Sequence, residues 1–350
     1  MKRGILFGLM CAVAGIMAAQ TVHDNELAVV YYMPQTQLCF DVEYEEVTLH
    51  SGPFAAYAKQ YLGAVDVIEK DETSFRIVKV HPFTKAVPDY TRAHKVVAER
   101  GFETQLLSLT ELGTLAGYNI TPDEDRQEPE CPFKCDKPFP PHPTRPAVMP
   151  LLEEHLNNKT LQQQAQGAAK LIYRIRENRM YLLGGEVDKV PSDGQAMQIV
   201  LDELNRQERQ LVELFIGYRE VKKHHKLLSY TPAKTEEVEL AFFSEKEGFT
   251  TGSGEPVLLN ITARRQARGN SRPDADKKGP APSQICYNLP GSANYRVIYL
   301  SETLVERNTP IAQFGIAVPL SKELFMQNKE QELPHIAFDK ETGNIKSITK

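Results

Sequence analysis

Two amphipathic stretches in the middle of the chain constrain its fold more than any other feature. Leu161, Ala165, Ala168, Ala169, Ile172 and Ile175 recur at helical spacing and keep one face apolar. Met197, Val200, Leu201, Leu204, Leu211 and Phe215 form a second such stripe. Thr160 with Gln163 has the pattern of a capping box, in which side chains satisfy the backbone amides that a helix start leaves free. Gly184-Gly185 stops the first stretch, and Pro191-Ser192-Asp193 followed by Gln195 opens the second. The pair predicts a helical hairpin within residues 151–226, with its loop across 183–191.

On both sides of this hairpin the period changes to two. Leu38, Phe40, Val42, Tyr44 and Val47 alternate with more polar residues. An apolar-aromatic run at 28–33 precedes them, and Pro34-Gln35-Thr36 is expected to break the two apart. Phe54, Tyr57, Ala58 and Tyr61-Leu62 predict a short helix after Ser51-Gly52-Pro53, ended by Gly63. Further strands are expected at 74–80, 90–97 and 104–109, then at 238–243, 257–263, 285–289, 295–300 and 312–318. Lys340-Glu341-Thr342-Gly343 reads as a turn between strands at 335–339 and 344–348. Strands grouped apart from helices predict an α+β fold rather than a doubly wound parallel sheet. The units are a strand-rich N-terminal part with a short helix (20–121), the helical hairpin (151–226), and a sandwich-like C-terminal antiparallel β unit (227–350).

Two segments carry little to pack. Residues 122–150 hold Pro138, Pro140, Pro141, Pro143 and Pro146 and read as an extended linker. Residues 264–282 are polar and basic, a flexible loop by composition.

The N-terminus reads as an export signal. Lys2 and Arg3 precede an uncharged, mostly apolar run to Ile16, and Met17-Ala18-Ala19 offers small residues for cleavage after Ala19 (signal 1–19). Cys11 raises a lipid anchor, but Leu9-Met10 are bulky where a lipidation signal has small residues. The apolar run is shorter than the roughly 20 residues that span a bilayer, and no later segment qualifies. The formal charge is −5, and −7 once Lys2 and Arg3 leave with the signal. That surplus argues against nucleic acid as a partner.

Export permits disulfides among Cys39, Cys131, Cys135 and Cys286. Cys131 and Cys135 can close a small loop. Cys39 and Cys286 sit in strand-like runs, where cross-sheet pairing and free buried thiols both remain open. Cys131, Cys135 and His142 are weak metal candidates without an evident fourth ligand. His224-His225, among Lys222, Lys223 and Lys226, reads as the basic end of the second helix.

No phosphate loop, His-Glu-x-x-His motif or Gly-x-Ser-x-Gly elbow occurs in the chain. Glu45-Glu46, Glu153-Glu154, Asp202-Glu203 and Glu236-Glu237 are adjacent pairs, whereas a glycosidase needs carboxyls that face across a sugar. No catalytic residue and no cofactor is assigned. Arg176, Arg179, Gly184, Gly185 and Glu186 are the candidate binding residues. The glycines allow either close backbone approach or positive φ, and a plain helix C-cap with ion pairs is the competing reading.

Several short motifs form a set: Tyr31-Tyr32-Met33-Pro34-Gln35-Thr36, the run from Gly52 through Gly63, Tyr181-Leu182-Leu183-Gly184-Gly185-Glu186, Leu214-Phe215-Ile216-Gly217, Ile311-Ala312-Gln313-Phe314-Gly315, and Phe338-Asp339-Lys340-Glu341-Thr342-Gly343. The set resembles the exported Bacteroidetes family known as domain of unknown function 4831, over nearly the whole chain after the signal. The resemblance implies an envelope location and supplies no activity or site residues. The Pro-rich linker and the basic loop lie outside the shared pattern.

The expected function is a non-catalytic cell-envelope binding or assembly protein whose partner is an envelope protein or glycan. The alternatives are an envelope hydrolase whose site is assembled from distant residues, and a purely structural envelope component.

Overall fold

The computed structural model describes residues 28–97, 106–120, 150–156, 159–185, 193–264, 284–321, 324 and 333–349. The signal with Cys11, nearly all of the Pro-rich linker with Cys131, Cys135 and His142, Glu186, and the basic loop beyond Arg264 lie outside them.

The fold is α+β. Strand β1 (Ala28–His50) is the axis of the molecule. It pairs antiparallel with β2 (Glu72–Val97) on one side and β5 (Tyr218–Tyr230) on the other. The break expected at Pro34 is absent, and β1 runs straight through it. β5 begins pairing only at Leu38, so Pro34 sits where β1 has a single partner strand, opposite Pro88. Pro82 and Pro88 are tolerated because β2 is an edge strand, where a missing N–H breaks no second ladder.

A five-stranded sheet packs on the first. It comprises β6 (Glu236–Ser244), β7 (Gly248–Thr250), β8 (Glu255–Arg264), β9 (Cys286–Tyr299) and β10 (Glu302–Pro319), in the order β10-β9-β8-β6-β7. Leu38, Phe40, Val42, Val80 and Leu228 meet Phe243, Val257, Leu259, Ile261, Tyr295, Val297 and Ile311 between the sheets. Phe40 lies edge-on to Tyr295, with centroids 5.6 Å apart. This is sandwich packing, and each fully buried side chain of this size contributes roughly 1.5–3 kcal/mol. A third sheet, ordered β12-β11-β4-β3, joins β3 (Leu107–Leu109) and β4 (Leu115–Tyr118) to β11 (His335–Phe338) and β12 (Ile345–Thr349). It covers Tyr31, Met33 and Val96 at the other end of β1 and β2. Strands from both sides of the helical hairpin therefore share sheets and cores. The hairpin divides the β segments in sequence and not in space.

Beyond β1 come a 3-10 turn (Ala55–Tyr57) and α1 (Ala58–Leu62). Later, α2 (Glu153–Leu156) precedes α3 (Leu161–Gly184), which opens with the expected Thr160–Gln163 capping box. The next helix, α4 (Gly194–Ile216), is capped by Asp193, whose carboxylate accepts from Gln195 N. α4 ends at Ile216, so the His224-His225 cluster belongs to β5 and not to a helix terminus. Gly217, at φ 78°, turns the chain, and Lys223 and His224 of β5 then meet carboxylates across the ladder on β1.

Candidate functional site

Arg176 and Arg179 are turned toward α4. Arg176 Nε donates to one Glu208 oxygen at 2.6 Å, and Arg179 donates to the other at 2.6 Å and to Asn205 Oδ1 at 2.7 Å. Burial works against ionisation of Glu208, but the two guanidiniums outweigh it and hold the carboxyl below its usual range. These arginines clasp the hairpin, as the C-cap reading expects. Gly184 is the last residue of α3. Gly185 has φ 69°, donates its N–H to Tyr181 O, and has open space where a Cβ would stand. It serves positive φ and not close approach.

The hairpin reaches well past its own core. Ala165, Ala168, Ala169, Ile172 and Ile175 pack with Leu211, Leu214, Phe215, Phe54 and Ala58. No fully buried hydrophobic lies on α3 after Ile175 or on α4 before Leu211. At a 1.5 Å rise, α3 is about 36 Å long, so its outer turns form an arm. On that arm Met180 is 72 % exposed, Leu183 65 % and Ile199 69 %. Val200, expected in the buried stripe, is also exposed.

The first sheet carries a charged ladder on the face turned away from the sandwich core. Asp41, Glu43 and Glu45 alternate with the core residues of β1. Asp41 is buried, sits opposite His81 of β2, and lies 3.1 Å from His225 Nδ1 of β5. Lys223 donates to Glu43 at 2.9 Å, and Arg76 grips Glu45 at 2.7 and 2.9 Å. Burial and then Lys79 push the His81 pKa down, against the pull of Asp41 and Glu43. On the opposite face His224 stacks on Tyr44 and meets Glu46 at 2.9 Å. The neighbours Glu45 and Glu46 thus point to opposite faces, as the strand period requires.

Cys39 and Cys286 are free, buried thiols and are not joined to each other. Burial raises both, Cys286 to about 11; Lys85 opposes the rise at Cys39. A thiol so held is a poor nucleophile. Among the described residues no group of three or more His, Cys, Asp or Glu is arranged to hold a metal ion. None of their helices is long and apolar enough to cross a membrane.

The short motifs other than the one at 181–186 meet where distant segments touch. Thr36 N donates to Gln313 Oε1 at 2.8 Å, and Gln313 Nε2 donates back to Thr36 O at 3.0 Å and to Pro232 O at 2.8 Å. Thr36 Oγ1 accepts from Ala312 N. Asn288, wholly buried, donates to the carbonyls of Ala312 and Thr342, and its own N–H reaches Gly343 O. Gly343 lies against Pro34, and Gly52 against the Leu214 carbonyl. Nothing in local periodicity marks Gln313 or Asn288. Gln313 lies in one of the short motifs, and Asn288 in none of them.

A family model, that of the domain of unknown function DUF4831, matches residues 27–346. No curated protein matches the chain, and no solved structure does.

Proposed function

We propose a function for a chain that belongs to the DUF4831 family, and we take it from the geometry: an exported, non-catalytic binding or assembly protein of the cell envelope. The interlocked sheets act as a rigid body, and the helical arm acts as the docking element. The observation that carries this reading is the outer half of the hairpin, where Met180, Leu183 and Ile199 are exposed beyond the last buried residues. Exposed aliphatic side chains on a rigid two-helix element suit a protein surface. They suit a glycan less, because they offer its hydroxyls no hydrogen bonds. The basic start and apolar run to Ile16 support export, and the family resemblance supports an envelope of the Bacteroidetes type.

Photo-crosslinking groups placed at 180, 183 and 199 in intact envelopes test the reading. A discrete protein adduct from these positions, and none from the open-face position Leu227, is the expected result. No adduct from any arm position, in cells that export the protein, overturns it.

A second reading draws on the Asp41–His225 contact, which resembles the orienting half of a hydrolytic dyad. Peptide or glycan cleavage by the purified chain, abolished by His225→Ala, would promote it. The raised pKa of neighbouring Cys39 weighs against a thiolate there.

A further inference from the structure

The helices have a core of their own. Phe54, Ala58, Ile172, Leu211 and Phe215 pack together, and among the described residues no member of this core belongs to the core between the sheets or to the one under the third sheet. The segment 52–68 is part of the same unit. Phe54 N donates to Leu214 O at 2.8 Å, Ile68 N to Ile216 O at 3.0 Å, and Tyr173 OH to Tyr61 O at 2.8 Å. The described chain passes between this helical unit and the sheets three times, after His50, before Glu72 and before Tyr218. All three passages lie at one end of the first sheet, because Leu49 pairs with Glu72 and His50 with Tyr218. The remaining connection, at 121–149, lies outside the described residues.

We propose that the helical unit pivots as a rigid body on this end of the first sheet, and that Asp71 is the latch that restrains it. Two bodies with separate cores, joined by short connections, move relative to one another unless a large apolar interface binds them. The ladder pairs at Leu49 and His50 fix the sheet side, and the Phe54–Leu214 and Ile68–Ile216 bonds fix the helical side. The bend therefore falls between them, at Ser51, at 69–71 and at Gly217. Glu69, Lys70 and Asp71 are exposed and belong to no helix or strand, and Gly217 holds a positive φ that favours glycine. A few residues at element ends are what a hinge requires, and a swing there opens neither core. Across the gap Asp71 Oδ1 accepts from Ser51 N at 2.6 Å and from Ser51 Oγ at 2.7 Å, tying the exit of β1 to the entry of β2. The pivot sets the direction in which the arm points, and it stands whether or not the arm docks a partner.

Residual dipolar couplings of the deuterated signal-free chain test the idea, with amide chemical shifts to verify that each unit stays folded. The expected result is one alignment tensor for the amides of the sheets and a second, of smaller magnitude, for those of the helical unit. Asp71→Ala is expected to lower the helical magnitude further and to leave the sheet tensor unchanged. Ser51→Ala, which removes one of the two bonds, is expected to fall between. A single tensor for all amides in the parent and both variants overturns the pivot. Helical amides that no one tensor fits overturn the rigid body. Couplings in both variants equal to the parent's overturn the latch.

Discussion

Gln313 and Thr36 stand 277 residues apart and exchange hydrogen bonds as if they were neighbours in a strand. The register of β9 and β10 slips between Ile311 and Ile316, so Ala312, Gln313, Phe314 and Gly315 bulge out of the ladder. The bulge re-aims Gln313 at β1 and at the carbonyl of Pro232. One side chain thereby ties the first strand to the second sheet and to the connection between β5 and β6.

Gln313→Ala removes an acceptor for Thr36 N and donors for two carbonyls, with no apolar partner to replace them. The expected loss is about 2–4 kcal/mol, since each buried polar group left unpaired costs about 1–3 kcal/mol. Urea unfolding followed by far-UV circular dichroism measures it, as the chain has no tryptophan to report. A loss within ~0.5 kcal/mol, typical of a neutral surface site, would show that the bulge is dispensable.

The two glycines that end the helices separate two causes of cost. Gly185 and Gly217 have φ values of 69° and 78°. A Cβ at Gly185 would meet nothing, whereas at Gly217 it would run into the His50 carbonyl and stand 3.0 Å from Ile68 Cβ. Gly185→Ala is expected to cost about 1–2 kcal/mol, the left-handed penalty alone. Gly217→Ala adds the clash at the junction between helix and sheet, for a total above about 3 kcal/mol. Equal losses in paired thermal melts would remove the clash from the account.

How much of this was legible follows from how local each cause is. The Thr160–Gln163 cap and the Asp339–Asn344 turn lie within a few residues, so the sequence displays them. The fate of Pro34 depended on where a strand nearly two hundred residues later begins to pair. The strand identity of His224 and His225 goes with β1 carboxylates that meet them across the ladder. Gln313 and Asn288 are polar residues whose burial exists only once three sheets meet. In the candidate site, the arginines could be read as ion-pair formers. Their partner Glu208 lies on another helix, and the exposed end of the arm depends on where the core stops.

Asp89 gives the fold a defined acid response. Its side chain is 6 % exposed and lies at the bulge where Tyr32 and Met33 pair with Ala93 and Asp89. Burial opposes its ionisation, yet hydrogen bonds from Thr91, Arg92 and Gln35 bring its pKa down to about 2, from an ordinary 3.8. A depressed folded pKa gives stability that is fully present above the unfolded value and lost as pH falls through the folded one. The contribution, about 2 kcal/mol, is therefore intact above about pH 5 and gone below about pH 2. Asp89→Asn should flatten the stability profile in that window while lowering stability at neutral pH. A variant whose acid slope matches the parent's would assign the response to other carboxylates.

Glu208 couples the two helices of the arm at the point where apolar packing runs out. Past Ile175 and Leu211 the helices share no fully buried hydrophobic contact, and the carboxylate bridging Arg176 and Arg179 takes over. Both guanidiniums are partly exposed, at 41 % and 29 %, so solvent screens the pairs and Glu208→Gln should cost only about 1 kcal/mol of global stability. Its local effect should be larger, because little else holds the outer turns together. Hydrogen exchange is expected to accelerate in residues 176–184 and 194–207 and to stay unchanged in β1, β8 and β9. Lowering the pH through the folded pKa of Glu208, which lies below the usual carboxylate value, should reproduce that pattern in the parent chain and have no further effect in the variant. If exchange instead rises equally in the sheets, the arm and the β body unfold as one unit, and the arm is no independent docking element.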